Sequence, residues 1–161
     1  MGKKSVRDNK NIYQVIREEQ GLTRAQASEL MPGMSADRIE RIESGRVVPV
    51  PEDVLLISDG YRRPELCNYY CSHECVIGQQ YVPAVEIKSI AQTTVELLAA
   101  FNRIDKLKER LLEIVADGEI KEEELSDFWL IRDELEKFSI TVEALQLWIE
   151  KATDEGRLPQ K

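Results

Sequence analysis

The chain has 161 residues, of which 42% are hydrophobic and 32% charged, with a formal net charge of −8. These proportions describe a folded, water-soluble protein and exclude a disordered one. No apolar run approaches the ~20 residues of a membrane span, and the start MGKKSVRDNKN lacks a signal peptide's apolar stretch, so no membrane association and a cytoplasmic location are expected.

Asn11 to Gln20 reads as a first helix with Ile12, Val15 and Ile16, and later Leu22, facing inward. Thr23 is a good N-cap, and Gln26 three residues on completes a capping box, so a second helix starts at Arg24. Pro32 and Gly33 stop it. Ser35 caps a third helix, in which Ile39 and Ile42 mark the inward direction, and Gly45 supplies the left-handed residue that ends it. Pro51 opens a fourth helix to Gly60, using Val54, Leu55 and Ile57, with Glu52 and Asp53 complementing its dipole. Pro64 restarts the chain, and Glu65 to about Glu74 predicts a fifth. Two breakers and no helical period in Ile77 to Pro83 mark a linker.

Beyond it, Ile87, Ile90, Thr94, Leu97, Phe101, Ile104, Lys108, Leu111 and Val115 alternate steps of three and four. Phe128, Ile131, Leu135, Phe138, Val142, Leu145 and Ile149 repeat the pattern. This is the heptad spacing of coiled-coil packing, and the turn at Ala116 to Glu119 makes the pair an antiparallel hairpin. Val95, Leu98, Leu107 and Leu112 on one helix and Leu130, Ile140, Leu147 and Trp148 on the other fall outside the seam. Such a wide apolar face needs a further partner, either the helix-turn-helix module or another copy of the hairpin, and a homodimer through residues 84–155, in which a second hairpin closes a four-helix bundle, is expected. The expected organisation is all-α: residues 1–76 a helix-turn-helix module with a Cys-rich fifth helix, 77–83 a linker, 84–155 the hairpin and 156–161 a tail. A chain cut after Gly78 is expected to fold as a monomer.

Arg17, Gly21-Leu22-Thr23, Ser35, Ile42-Glu43-Ser44-Gly45-Arg46 and Pro49 together resemble the Xre/Cro-type helix-turn-helix proteins of bacteria and phages over about residues 9–63. Two features depart from that pattern. Met31-Pro32-Gly33-Met34 makes a longer turn, and Arg24 stands where the family commonly has Gln. The resemblance implies a transcriptional regulator that binds double-stranded DNA, and an internal pair between Arg17 and Glu43.

With Ile39 and Ile42 inward, the opposite side of the third helix carries Asp37, Glu40, Arg41 and Ser44, with Ser35 and Ala36 at its start. These side chains would meet a major groove, Arg41 reading guanine and an acid accepting from cytosine N4. Phosphate contacts would come from Arg24, Gln26 and Arg46 and from Lys3, Lys4 and Arg7, although the capping box alone explains Gln26. Two acids on that face oppose phosphate, and a scaffold that binds protein instead of DNA is the competing reading. The acid excess is segregated. Residues 1–66 hold 11 basic and 11 acidic side chains, and residues 67–161 hold 11 and 19.

All three cysteines, Cys67, Cys71 and Cys75, fall within nine residues together with His73, the only histidine. On a continuous helix, Cys67 and Cys75 lie about 12 Å apart along the axis, too far to share one zinc, so a buried thiol stripe is the favoured reading. A break near Ser72 would instead allow zinc or an iron–sulfur cluster, and with it a metal- or redox-responsive regulator. Asp117-Gly118-Glu119-Ile120 with Glu124 echoes a calcium loop, but Val115 stands where a ligand is needed. Trp129 and Trp148 read as packing residues. No nucleophile–base pair or phosphate loop points to an enzyme.

Overall fold

In the computed structural model, which describes residues 10–159, the chain is all-α, with no strand among the described residues. It divides into two compact units, one of residues up to Pro83 together with those from Lys151 onward, the other Ala84–Glu150.

The first unit holds α1 (Ile12–Glu19), α2 (Arg24–Leu30), α3 (Ala36–Glu43), α4 (Pro51–Tyr61), α5 (Glu65–His73) and a single turn α6 (Gly78–Tyr81). The caps follow the sequence. The Thr23 hydroxyl accepts from the Gln26 amide at 3.2 Å while Gln26 Oε1 accepts from the Thr23 amide at 2.9 Å, and Ser35 Oγ accepts from the Arg38 amide at 3.1 Å. Each removes an orphan donor from a helix start. Gly45 takes φ +73° just past α3. The segment expected to be irregular contains α6, and Gly78 at its start lies so close to the Cys71 carbonyl that no side chain fits there.

Tyr13, Ile16, Ala27, Met31, Met34, Ile39, Ile42, Val54, Ile57, Tyr61 and Leu66 form the core of this unit. Leu55, expected inward, is exposed, and Ser58 and Tyr61 complete the buried face of α4 instead. The longer turn serves this core. Met31 and Met34 are both buried, the Ser28 hydroxyl donates to the Met34 carbonyl at 2.7 Å, and Gly33 at φ +99° reverses the chain between them. Gly60 lets α4 approach, since a methyl there would meet the Met31 side chain.

The ends of α3 are pinned from two directions. Arg17 forks onto Glu43, Nε to Oε1 at 2.5 Å and Nη2 to Oε2 at 2.9 Å, and its Nη1 reaches the Leu22 carbonyl at 2.7 Å. Asn11 Nδ2 donates to the Ile42 carbonyl at 2.7 Å. Arg38 forks onto Asp53 at the start of α4, and Asp53 also accepts from the Val50 amide at 3.0 Å.

Residues from Lys151 onward complete this unit. Ala152 is fully buried, Lys151 Nζ pairs with Glu65 at 2.9 Å, and Arg62 Nη1 donates to the Asp154 carbonyl at 3.1 Å. The hairpin expected to run to residue 155 therefore gives up its last residues, and a chain cut after Gly78 loses these contacts.

The second unit holds α7 (Ile90–Ile114), a 3-10 turn (Glu122–Glu124) and α8 (Leu125–Asp154) up to Glu150. Contacts Phe101–Phe138, Arg103–Glu134 and Arg110–Asp127 run in opposite directions along the two helices, so the pair is antiparallel. Its seam differs from the expected one. Thr93, Ala100 and Ile114 are at most 1% exposed, whereas Ile90, Phe101 and Val115 lie on the surface. Leu97, Ile104 and Leu111 belong to both stripes. The seam thus turns toward the small residues Thr93 and Ala100, which allow closer approach of the helix backbones. On α8 Glu134 is buried and Leu135 is 45% exposed, because Glu134 bonds to Arg103 at 2.7 Å and Lys137 at 2.6 Å. One flank of the hairpin is consequently ion-paired. On another, Ile104, Leu107, Lys108, Leu111, Ile131 and Leu135 line an open apolar cleft. Trp129, expected in packing, is half exposed with Arg132 over its ring at 4.7 Å.

Glu43→Ala leaves two arginines facing a buried gap and is expected to cost about 3–5 kcal/mol in denaturant titrations, with Arg17→Met/Glu43→Met recovering much of that loss. Burial pushes the Asp53 and Glu65 carboxyls up, but their basic partners outweigh it, and both sit below the usual carboxylate range. Their contribution is therefore full above the unfolded carboxylate pKa and lost as the pH falls through the lower folded values. Asp53→Asn should be less stable than the parent at pH 7, and the two melting temperatures should converge toward pH 2.

Candidate nucleic-acid interface

The α2–turn–α3 segment presents one face of α3 to solvent because Ile39, Ile42 and Glu43 occupy the other. On that outward face Asp37 and Arg41 are exposed, and Ala36, Glu40 and Ser44 are half-buried. Its charges are arranged in pairs. Arg41 Nε lies 3.0 Å from Asp37 Oδ2, one turn back along the helix. Arg46, just beyond α3, has Nη2 on Glu40 and Nε on Ser44 Oγ at 3.0 Å. Ser44 Oγ donates in turn to the Arg41 carbonyl at 3.2 Å. The face is thus closely balanced in charge, and its cations come pre-engaged by acids of the same helix.

The other expected contacts divide. Ser35 is exposed and occupied in capping α3, and Gln26 is exposed and occupied in capping α2. Arg24 turns inward to the clamp, its Nε 2.8 Å from Glu43 Oε2, so that one carboxylate serves α1, α2 and α3. Arg24, standing where the resembled family commonly has Gln, is thus paired with the clamp carboxylate while its side chain stays 38% exposed. Lys3, Lys4 and Arg7 lie outside the described residues. Arg38, unnoticed in the sequence, flanks the face and is fixed by Asp53; the only signal was its place three residues after Ser35, at the same helix end as the acids of α4.

The cysteine cluster has a different geometry from either expectation. Helix α5 ends at His73, the Glu74 amide closes onto the Tyr70 carbonyl, and Cys75 lies past the helix with its sulfur 3.4 Å from the Gly78 amide. All three thiols are half-buried rather than buried. The His73 ring stacks on Tyr69 at 4.5 Å, and Glu74, pushed up by burial, accepts from the Tyr13 hydroxyl at 3.0 Å. Cys67, Cys71 and Cys75 do not converge, and no group of three His, Cys, Asp or Glu among the described residues is placed to hold a metal ion.

No described helix is long and apolar enough to cross a membrane. Comparison with curated proteins and with solved structures returned no match. A protein-family model described as a helix-turn-helix domain matches residues 14–66, which run from α1 to the start of α5. Capped α2, the turn, the clamped α3 and this match agree: residues 14–66 of the chain are a helix-turn-helix domain, consistent with the Xre/Cro-type resemblance.

Proposed function

We propose that the protein is a cytoplasmic transcriptional regulator that binds double-stranded DNA sequence-specifically as a homodimer. The observation that carries the reading is the α3 face: a helix anchored from within by Ile39, Ile42 and Glu43 and turned outward with Asp37, Glu40, Arg41 and Ser44 in a matched helix-turn-helix domain. A helix of about 10–12 Å diameter fits the major groove, where Arg41 meets guanine O6 and N7 and an acid accepts from cytosine N4. Arg46 at the helix end is the phosphate contact, exchanging Glu40 for a backbone oxygen.

Dimerisation follows from the weakness of one module. The first unit is neutral, and all eight excess negative charges fall in residues 84–150, which hold 8 basic and 16 acidic side chains. A neutral module releases few counterions, so one copy binds DNA weakly and two joined copies multiply their affinities. The second copy is assigned to the cleft side of the hairpin, near Leu135, and Leu98, Phe101 and Leu112 add further half-exposed apolar surface on α7. Hiding the remainder of these side chains twice over a twofold axis contributes on the order of several kcal/mol. Half-sites spaced by a helical turn, or a multiple of it, would match such a dimer.

Binding selection on random duplexes at two salt concentrations tests the DNA reading. Arg41→Ala should relax one base position by about 1–3 kcal/mol, whereas Arg46→Ala should weaken every sequence alike and flatten the salt slope. An absence of both enriched sequence and salt-dependent binding would move the module to the protein-interaction class.

For the dimer, light scattering at low micromolar concentration should give twice the chain mass, and Leu112→Glu/Leu135→Glu should give the single mass with the helix content retained. A wild-type monomer would defeat this arrangement.

A further inference from the structure

We propose that Asp37 is the positioning residue that makes Arg41 a guanine reader, so that the α3 face selects a G·C pair at one position of each half-site. This inference rests on the DNA-binding reading of the same face. It starts from which nitrogen is engaged. Asp37 Oδ2 lies 3.0 Å from Nε of Arg41 as an ion pair, and no guanidinium nitrogen of Arg41 donates a hydrogen bond among the described residues, so both terminal nitrogens remain open. A guanidinium held at Nε presents Nη1 and Nη2 side by side, the fork that matches O6 and N7 of guanine.

The contrast with Arg46 sharpens the assignment. Glu40 takes a terminal nitrogen of Arg46 and Ser44 takes Nε, so no two-pronged end is left to face a base. Among the described residues of this face, only Arg41 combines an outward position with a free fork. In water an exposed pair one helical turn apart is worth little. In a groove, with water displaced, the same contact strengthens, and Arg41 has already surrendered part of its rotamer freedom before it docks. The negative charge of Asp37 also disfavours the flanking phosphates as an alternative target for the guanidinium. Asp37 therefore converts a flexible cation, which would bind backbone anywhere, into one directed at a base edge.

The test uses the full chain. Wild type, Asp37→Ala, Asp37→Asn, Arg41→Ala and the Asp37→Ala/Arg41→Ala double variant are each checked by thermal melting and taken through selection on random duplexes. They are then titrated on the selected duplex and on one with the guanine pair replaced. Wild type should enrich guanine at one position. Asp37→Ala should lose about tenfold of that preference and leave the other positions alone. Asp37→Asn should lose nearly as much, because the contact at Nε is an ion pair and the amide carries no charge. The double variant should lose no more than Arg41→Ala, the non-additivity of two residues acting as one unit. A profile for Asp37→Ala identical to wild type, or a loss spread evenly over all duplexes, would overturn the positioning role and leave the DNA reading intact. A wild-type protein that enriches nothing and binds no duplex would overturn both.

Discussion

One carboxylate organises the N-terminal unit. Glu43, at the last position of α3, receives Arg17 from α1 and Arg24 from α2 and is almost entirely withdrawn from water. A lone buried charge is expensive, and two guanidinium groups with matched hydrogen bonds offset that cost. The geometry then propagates. With its C-terminal end held by Glu43 and by Asn11 on the Ile42 carbonyl, and its N-terminal half by Arg38 on Asp53, α3 cannot rotate about its axis. The side of α3 that remains outward is decided by these three attachments and by the two isoleucines between them.

Much of this was legible because the signals were local. Thr23 with Gln26, and Ser35 before Ala36, specify helix starts through contacts three residues apart, and both caps form. The Arg17–Glu43 pair spans 26 residues and came only through family resemblance; nothing in periodicity announces it. The Arg24–Glu43 pair is hidden for the same reason, since the acid that Arg24 faces stands 19 residues on. In the cysteine segment the local period was sound up to His73. Beyond it the backbone approach of Gly78 to Cys71 reshaped the chain, a tertiary contact that spacing does not encode.

The hairpin shows a subtler ambiguity. Two stripes on α7 satisfy alternating steps of three and four, and they share Leu97, Ile104 and Leu111. Hydrophobicity alone favours the one with Ile90, Phe101 and Val115, yet the helices meet along the one with Thr93 and Ala100. Backbone approach and the Arg103–Glu134 and Arg110–Asp127 pairs choose between them, and neither can be weighed by ranking residues for hydrophobicity. Ile90, Phe101 and Val115 are left exposed, Phe101 still against Phe138, and an apolar cleft lies beside the seam.

The segregation of charge has a kinetic meaning. A duplex is a polyanion, and at distances beyond the module itself it meets the whole chain as a body of charge −8. Long-range attraction, which speeds the approach of basic proteins to DNA, is replaced by a mild repulsion that reaches about 10 Å at 0.1 M salt and about 30 Å at 0.01 M. Under the proposed DNA-binding reading, encounters would be slowed most in dilute salt, and the association rate would rise as ions are first added, while the lifetime of the bound state would shorten with every phosphate contact they compete for. Residence, rather than capture, would then distinguish preferred sites from arbitrary sequence.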